Sequence, residues 1–230
     1  DIYYYYVPSS ITKVNITSAK KLAAGAFYDY NHITEINLNN EITVINDYAF
    51  KNCGVVPSSE EDLVVSGDIL IAYKGSGTNV VLPEGIELIA PRAFENNSTL
   101  SSVQLSDTVT WVGDYAFYNC TNAIIAVPKI SGSLTLGTNA FTATGSVQYL
   151  DKSSYTNGND TFYYMVDKDN NAVIVGCETT SVNITLPVML GGYNVVAVGY
   201  RGMADCTTLV SATIPSNITK LDLYAFAGCI

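Results

Sequence analysis

The stretch VGDYAFYNC, Val112–Cys120, returns as INDYAFKNC at Ile45–Cys53 and as LDLYAFAGC at Leu221–Cys229. Tyr, Ala, Phe and Cys stay while the residues between them drift. A catalytic signature occurs once in a chain, whereas a packing unit recurs at a fixed interval, so the spacing decides between them. The Phe of each Ala-Phe step falls at Phe27, Phe50, Phe94, Phe117, Phe141 and Phe226. Phe27 to Phe50 and Phe94 to Phe117 are equal steps, and Phe117 to Phe141 is one residue longer. Phe50 to Phe94 is close to two steps. Met203 stands in the Phe slot one step before Phe226. The step is about 23 residues, inside the ~20–29-residue range of leucine-rich repeats, so the seven markers predict seven coils.

Each coil has a second apolar signature. Ile33, Ile36 and Leu38 occur in ITEINL, Leu100, Val103 and Leu105 in LSSVQL, and Leu209, Ala212 and Ile214 in LVSATIP. The period-two end of each pattern predicts a short strand with one buried face. A shorter apolar pair follows, as in ITVI at Ile42–Ile45, and then the YAF turn. Such a unit cannot bury its apolar face alone, and stacking the units builds a continuous core. The Phe plugs each coil, Ala leaves room for the next, and the Cys slot (Cys53, Cys120, Cys206, Cys229) is a small apolar residue in a turn.

These residues resemble the BspA-like leucine-rich repeats of bacterial surface proteins. VQLSDTVTWVGDYAFYNCTNA follows that consensus over its whole length, and the likeness covers most of the chain. The resemblance implies a leucine-rich-repeat solenoid over residues 1–230 as a single domain: right-handed, β-rich, with short helical turns at the AFxxC segments. It also implies a secreted or cell-surface location and a non-enzymatic, adhesin-like role with an extracellular or cell-surface protein as ligand.

Two segments interrupt the period. Gly67–Pro83 aligns without gaps on Asn171–Pro187. Both are expected as β-hairpin inserts, about 62–75 and 160–178. The expected strands are Leu63–Val65 with Ile69–Tyr73 and Phe162–Val166 with Val173–Cys177. Cys177 aligns with Tyr73 and is expected to be a packing residue. The chain opens on DIYYYYVP without Met and stops after a Cys slot. An excised segment lacking its C-terminal cap is the expectation, or one whose ends are covered by the hairpins and IYYYYV.

Chemistry is sparse. The 230 residues carry a net charge of −10 with scattered Lys and Arg, which argues against nucleic acid and anionic membrane surfaces. No window has the ~18 apolar residues of a membrane span. His32 is the only histidine, so a two-His metal site or His dyad elsewhere is excluded. No carboxylate pair stands out, and no cofactor is expected. DKDNNAVIVGCE, Asp167–Glu178, matches several EF-hand positions but has Ala172 where the loop needs Gly, amid strand-forming flanks. A hairpin turn is the expectation, with Asp167 and Asp169 left as the candidate calcium ligands. Cys206 and Cys229 fall in consecutive coils; stacked free thiols are expected there, with a disulfide as the alternative.

In such a solenoid the strands' outward positions line the concave, ligand-facing sheet. They are Lys13, Asn15, Glu35, Asn37, Ser102, Gln104, Thr185, Ser211 and Thr213. The tyrosines cluster elsewhere, around Ala-Phe (Tyr28, Tyr30, Tyr48, Tyr115, Tyr118, Tyr224). They read as rings packed between turns or as a binding ridge. A structural spacer and a carbohydrate-binding module using exposed tyrosines are the alternatives to the adhesin.

Overall fold

The computed structural model describes residues 7–57, 62–127, 134–150, 152–167, 169–222 and 224–229. The IYYYYV expectation falls largely outside these residues. The chain forms two compact units, Asp1–Ile125 with Thr135–Val147, and Ala126–Leu134 with Gln148–Ile230. Each is a run of leucine-rich-repeat coils with one β-hairpin insert.

In the first unit the strands expected from period-two patterns form and pair in parallel. Lys13–Asn15 lies beside Glu35–Asn37, with Val14 opposite Ile36. Asn79–Val81 lies beside Ser102–Gln104, with Val80 opposite Val103. The middle residue of three of these strands is buried and its neighbours face out. A second row runs along the coils, ordering Thr135–Leu136, Trp111–Val112, Leu88–Ile89, Ile69–Tyr73 and Leu63–Ser66 in one sheet. Its parallel pairs place Val112 opposite both Ile89 and Leu136.

The Phe column is present. Phe27 and Phe50 stack at 5.7 Å and 4°, Phe94 and Phe117 at 4.7 Å and 11°, and Phe117 and Phe141 at 5.6 Å. Phe94, Phe117 and Phe141 are almost fully buried. The double interval from Phe50 to Phe94 is also filled: Tyr73, one period after Phe50, stacks on Phe94 at 5.3 Å. The second strand of the insert is thus the missing coil. In the second unit Met203 is fully buried, and Phe226 packs against the same core.

The AFxxC segments are not helical; among the described residues there is no helix. The reason lies in the backbone. Tyr48 and Asn52 have φ of 60° and 56°, Tyr115 and Asn119 57° and 61°. A left-handed residue at every fourth position breaks a right-handed helix each time it begins to form. What remains is a chain of i→i+3 turns, such as Ala49 N–H to Asn46 O, Lys51 N–H to Tyr48 O and Cys53 N–H to Phe50 O. The freed backbone groups bond to the adjacent coil instead. Phe27 N–H donates to Ala49 O at 2.7 Å, Phe94 N–H to Ala116 O at 2.8 Å, and Met203 N–H to Ala225 O at 2.7 Å. Asn suits the second left-handed slot because its short polar side chain tolerates that region. Across coils the slot also bonds laterally, Asn119 Nδ2 to Asn96 Oδ1 at 3.0 Å.

Both inserts are antiparallel hairpins. The first pairs Leu63–Ser66 with Ile69–Tyr73, and the second Asp160–Val166 with Asn171–Thr179. The second is longer than its sequence pattern indicated. It also gains a strand that the pattern did not indicate, Ser153–Asn157, on the outside of Asp160–Val166.

Candidate functional site

Each expected ligand-facing side chain sits on an outward strand position and is exposed or half-buried. The structure sorts them into three groups. Lys13, Asn15, Glu35 and Asn37 share one pair of strands, Ser102 and Gln104 lie on another, and Thr185, Ser211 and Thr213 lie on the parallel pair Asn183–Thr185 and Ser211–Thr213. Within each group polar side chains bond along the ladder, because the same position recurs one coil later. Lys13 Nζ meets Glu35 Oε1 at 2.6 Å. Asn37 Nδ2 donates to Asn15 Oδ1 at 2.8 Å and to Glu35 Oε1 at 3.0 Å. Ser102 Oγ donates to Asn79 Oδ1 at 2.8 Å, and Ser211 Oγ to Asn183 Oδ1 at 2.6 Å. Lys13 and Asn37 together hold the Glu35 carboxyl below its usual range. Asn79 and Asn183 were missed by sequence reasoning, although they occupy the equivalent strand slot.

The turn side carries the larger side chains. Tyr48, Arg92 and Tyr115 all occupy the left-handed slot before Ala-Phe. The Arg92 guanidinium carbon lies 3.8 Å from the Tyr48 ring centroid and 4.4 Å from that of Tyr115, a cation between two rings. Arg92 also grips Asp47 through two bonds, of 2.6 and 2.9 Å, and pairs with Glu95, which Lys51 holds from the other side. Glu95 and Arg92 keep only 7% and 10% of their side chains exposed, so this cluster is a fully partnered clamp. It joins the coil of Phe50 to that of Phe94 across the place where the insert enters. A shallow cavity of about 200 Å³ lies beside it, bordered by Phe50, Lys51, Tyr73, Lys74, Arg92 and Glu95. Three tyrosine pairs meet edge to face: Tyr28–Tyr48 at 81°, Tyr115–Tyr118 at 82° and Tyr200–Tyr224 at 84°.

No catalytic constellation emerges among the described residues. The five cysteines are free thiols, as expected. Burial pushes the Cys120 thiol up to about 11 and raises those of Cys53, Cys177 and Cys206, which disfavours the thiolate at these four. Cys120 Sγ instead donates to Phe94 O at 3.0 Å, and Cys229 Sγ to Met203 O at 3.0 Å, tying these two Cys slots to the Phe slot one coil earlier. His32 packs its ring 5.7 Å from Tyr30. One carboxyl pair is brought together that the sequence did not signal. Glu84 and Asp107 meet across adjacent coils, and a hydrogen bond between them, with Glu84 as the protonated donor, raises the Glu84 carboxyl. The pair is exposed rather than set in a cleft. Asp167 Oδ1 is occupied by its own turn, accepting from Asp169 N–H at 2.9 Å and Asn171 N–H at 2.8 Å. No cluster of three His, Cys, Asp or Glu suited to a metal occurs among the described residues. No helix long and apolar enough to cross a membrane occurs among them either.

Coils of this length, stacked on a Phe column and laddered through turns, define a leucine-rich-repeat protein. The model of the BspA type leucine rich repeat region matches in six copies, over residues 2–59, 71–184 and 176–230, and the chain belongs to that family. Among solved structures it is similar to a leucine rich cell surface protein from Faecalibacterium prausnitzii, with 18% identity, 95% of this chain and 58% of that chain covered and a TM-score of 0.36. A leucine-rich repeat protein from Eubacterium ventriosum matches with 17% identity, 95% and 76% coverage and a TM-score of 0.40. One from Bacteroides ovatus matches with 16% identity, 96% and 77% coverage and a TM-score of 0.31. The chain thus spans 58% of the length of the Faecalibacterium protein. No curated protein matches it.

Proposed function

We propose that this chain is a non-enzymatic recognition module of a secreted or cell-surface bacterial protein, adhesin-like, with an extracellular or cell-surface protein as its ligand. Membership of the BspA type family over six repeat copies carries the proposal. The outward strand residues Lys13, Asn15, Glu35, Asn37, Ser102, Gln104, Thr185, Ser211 and Thr213 are the proposed contact positions. Their lateral hydrogen bonds support this, because prearranged side chains lose less freedom on binding. Residues 1–230 are proposed as one domain, for which calorimetry should give a single unfolding transition and two transitions would count against it.

The spacer reading draws on the same bonds. Side chains of which several already bond along the ladder, with no Trp, Tyr or Arg among the nine, form a poor hot spot. The carbohydrate reading is weakened by the edge-on tyrosine pairs, which make no flat platform. An array of extracellular matrix proteins and glycans, probed with the folded chain, separates the three. The adhesin reading expects a protein ligand whose binding falls with Glu35→Lys. Glycan binding lost in Tyr28→Ala would favour the carbohydrate module, and silence across the array the spacer.

A further inference from the structure

The second insert carries a strand with no counterpart in the first among the described residues. Ser153–Asn157 pairs antiparallel with Asp160–Val166, Ser153 opposite Tyr164 and Asn157 opposite Asp160, with no bulge in that pairing. It is the outermost strand of a six-stranded sheet. All five of its residues are exposed. Among the described residues, no backbone group bonds to its outer edge, which leaves one row of N–H and C=O groups as a template for another strand. Proteins usually guard such an edge with lysine, proline, a bulge or extreme shortness. Ser-Ser-Tyr-Thr-Asn has no charge, no proline and no bulge. By contrast the outer strand of the first insert is closed off: its Ser66 is buried, and Ser66 Oγ accepts from Leu38 N–H at 2.7 Å.

We propose that Ser153–Asn157 is a self-association edge, pairing antiparallel with the same strand of a second copy about a two-fold axis at Tyr155. The strand is complementary to its own reverse. Ser153 then faces Asn157, Ser154 faces Thr156, and Tyr155 faces its own copy. Hydroxyls meet hydroxyl or amide groups, the two rings meet at the centre, and no like charges are opposed. Tyr155, at 44% exposure, is the central anchor. A two-fold contact uses the same edge on both copies and closes, so it yields a dimer rather than a fibre.

The size of the contact sets its strength. Five residues extend about 17 Å, and the area they cover falls below the roughly 1,200 Å² of a stable interface. The dimer is therefore weak and exchanging, and it is favoured where copies are crowded. The net charge of −10 opposes approach, so added salt tightens it.

Cross-linking in the full chain tests the register. Facing Cα atoms of an antiparallel pair lie about 4.5–5.5 Å apart, within disulfide reach. In a glutathione buffer Tyr155→Cys should give a reducible dimer. Ser153→Cys, which faces Asn157, should give about tenfold less, since offset positions fall outside that reach. The unmodified chain controls for its own thiols. Sedimentation equilibrium should show a concentration-dependent dimer that Tyr155→Lys abolishes by opposing two like charges. No residue of the strand belongs to the core, so these variants keep their thermal midpoint at low concentration. Equal cross-linking at both positions, none above the unmodified chain, a monomer at every concentration, or a dimer indifferent to Tyr155→Lys would each overturn the proposal.

Discussion

The two inserts begin from one pattern and end as different devices. In both, a strand runs antiparallel to its hairpin partner and parallel to the next coil. Leu70 pairs with Ile89, and Ile174, its aligned residue, pairs with Val198. Both hairpins even shift register at the same place, between Val64 and Val65 and between Tyr163 and Tyr164, opposite those buried residues. The divergence starts three residues later. Tyr73 continues the aromatic column under Phe94, whereas Cys177 sits beside the next coil's thiol, its carbonyl 3.9 Å from Cys206 Sγ. Arg92 and its partners clamp together the coils of Phe50 and Phe94, on either side of the first insert. The second grows outward, adding Ser153–Asn157 and then a tight turn at Gly191, where any Cβ would meet the Tyr164 hydroxyl at 1.9 Å. One aligned slot, aromatic in one insert and small in the other, separates a coil from a projecting sheet.

The strongest way to break this contrast is at the coil that receives each insert. Phe94→Ala should cost about 4 kcal/mol, because Phe94 is buried between Tyr73 and Phe117 and leaves a cavity on both sides. Met203→Ala, which removes no ring from the column, should cost about 3 kcal/mol by denaturant unfolding. Equal losses would mean that the column adds nothing beyond burial.

At the aligned slot itself, Tyr73→Ala should cost about 2 kcal/mol through lost area and stacking. Cys177→Ala should cost about 1 kcal/mol or less. A reversed order would undo the comparison. Arg92→Ala tests the clamp. It strands Glu95 with only Lys51 and uncovers two rings, for about 2 kcal/mol, less than a fully buried pair because Asp47 and Lys51 keep part of their hydration. Thermal melts in low and high salt would reveal a merely superficial pair by a loss that disappears with salt.

The smallest effect belongs to Glu84 and Asp107. The Glu84 carboxyl is raised above its usual 4.5 in the folded state. A raised acid favours folding only while it is protonated, and that contribution is lost as pH climbs through the folded value. Glu84→Gln should therefore raise the thermal midpoint slightly at neutral pH and lose that advantage below about pH 4. A gain that persists in acid would mean that the two carboxyls do not interact.

Much of the fold was legible because packing repeats. Every coil must fill the same place inside, so Phe, Ala and Cys recur at one fixed interval, and Gly67–Pro83 repeats because both strands bury the same face. Tyr73 was readable too, since it lies one period after Phe50, but an aromatic column was sought through Ala-Phe steps alone. Ser153–Asn157 left no signal: a strand with both faces in water has no alternation to detect. The turn conformation was half visible. Asn at its left-handed position is a local preference, whereas Arg92 and Tyr115 are held there against theirs by N–H bonds to the next coil, at Asp114 O and Thr138 O. The candidate contact positions followed from strand parity, but their mutual bonds did not.

The sequence by itself therefore determined the period, the buried column and the family, since each depends on residue type at a regular interval. Tertiary structure alone decided which side chains are already spoken for. Asn15 and Asn37, Arg92 and Asp47, and Glu84 and Asp107 lie 22 to 45 residues apart in the chain and meet only because stacking sets one coil directly against another. The open edge of Ser153–Asn157 belongs to the same category, because a free row of backbone donors and acceptors is a property of a strand's neighbours and not of its letters.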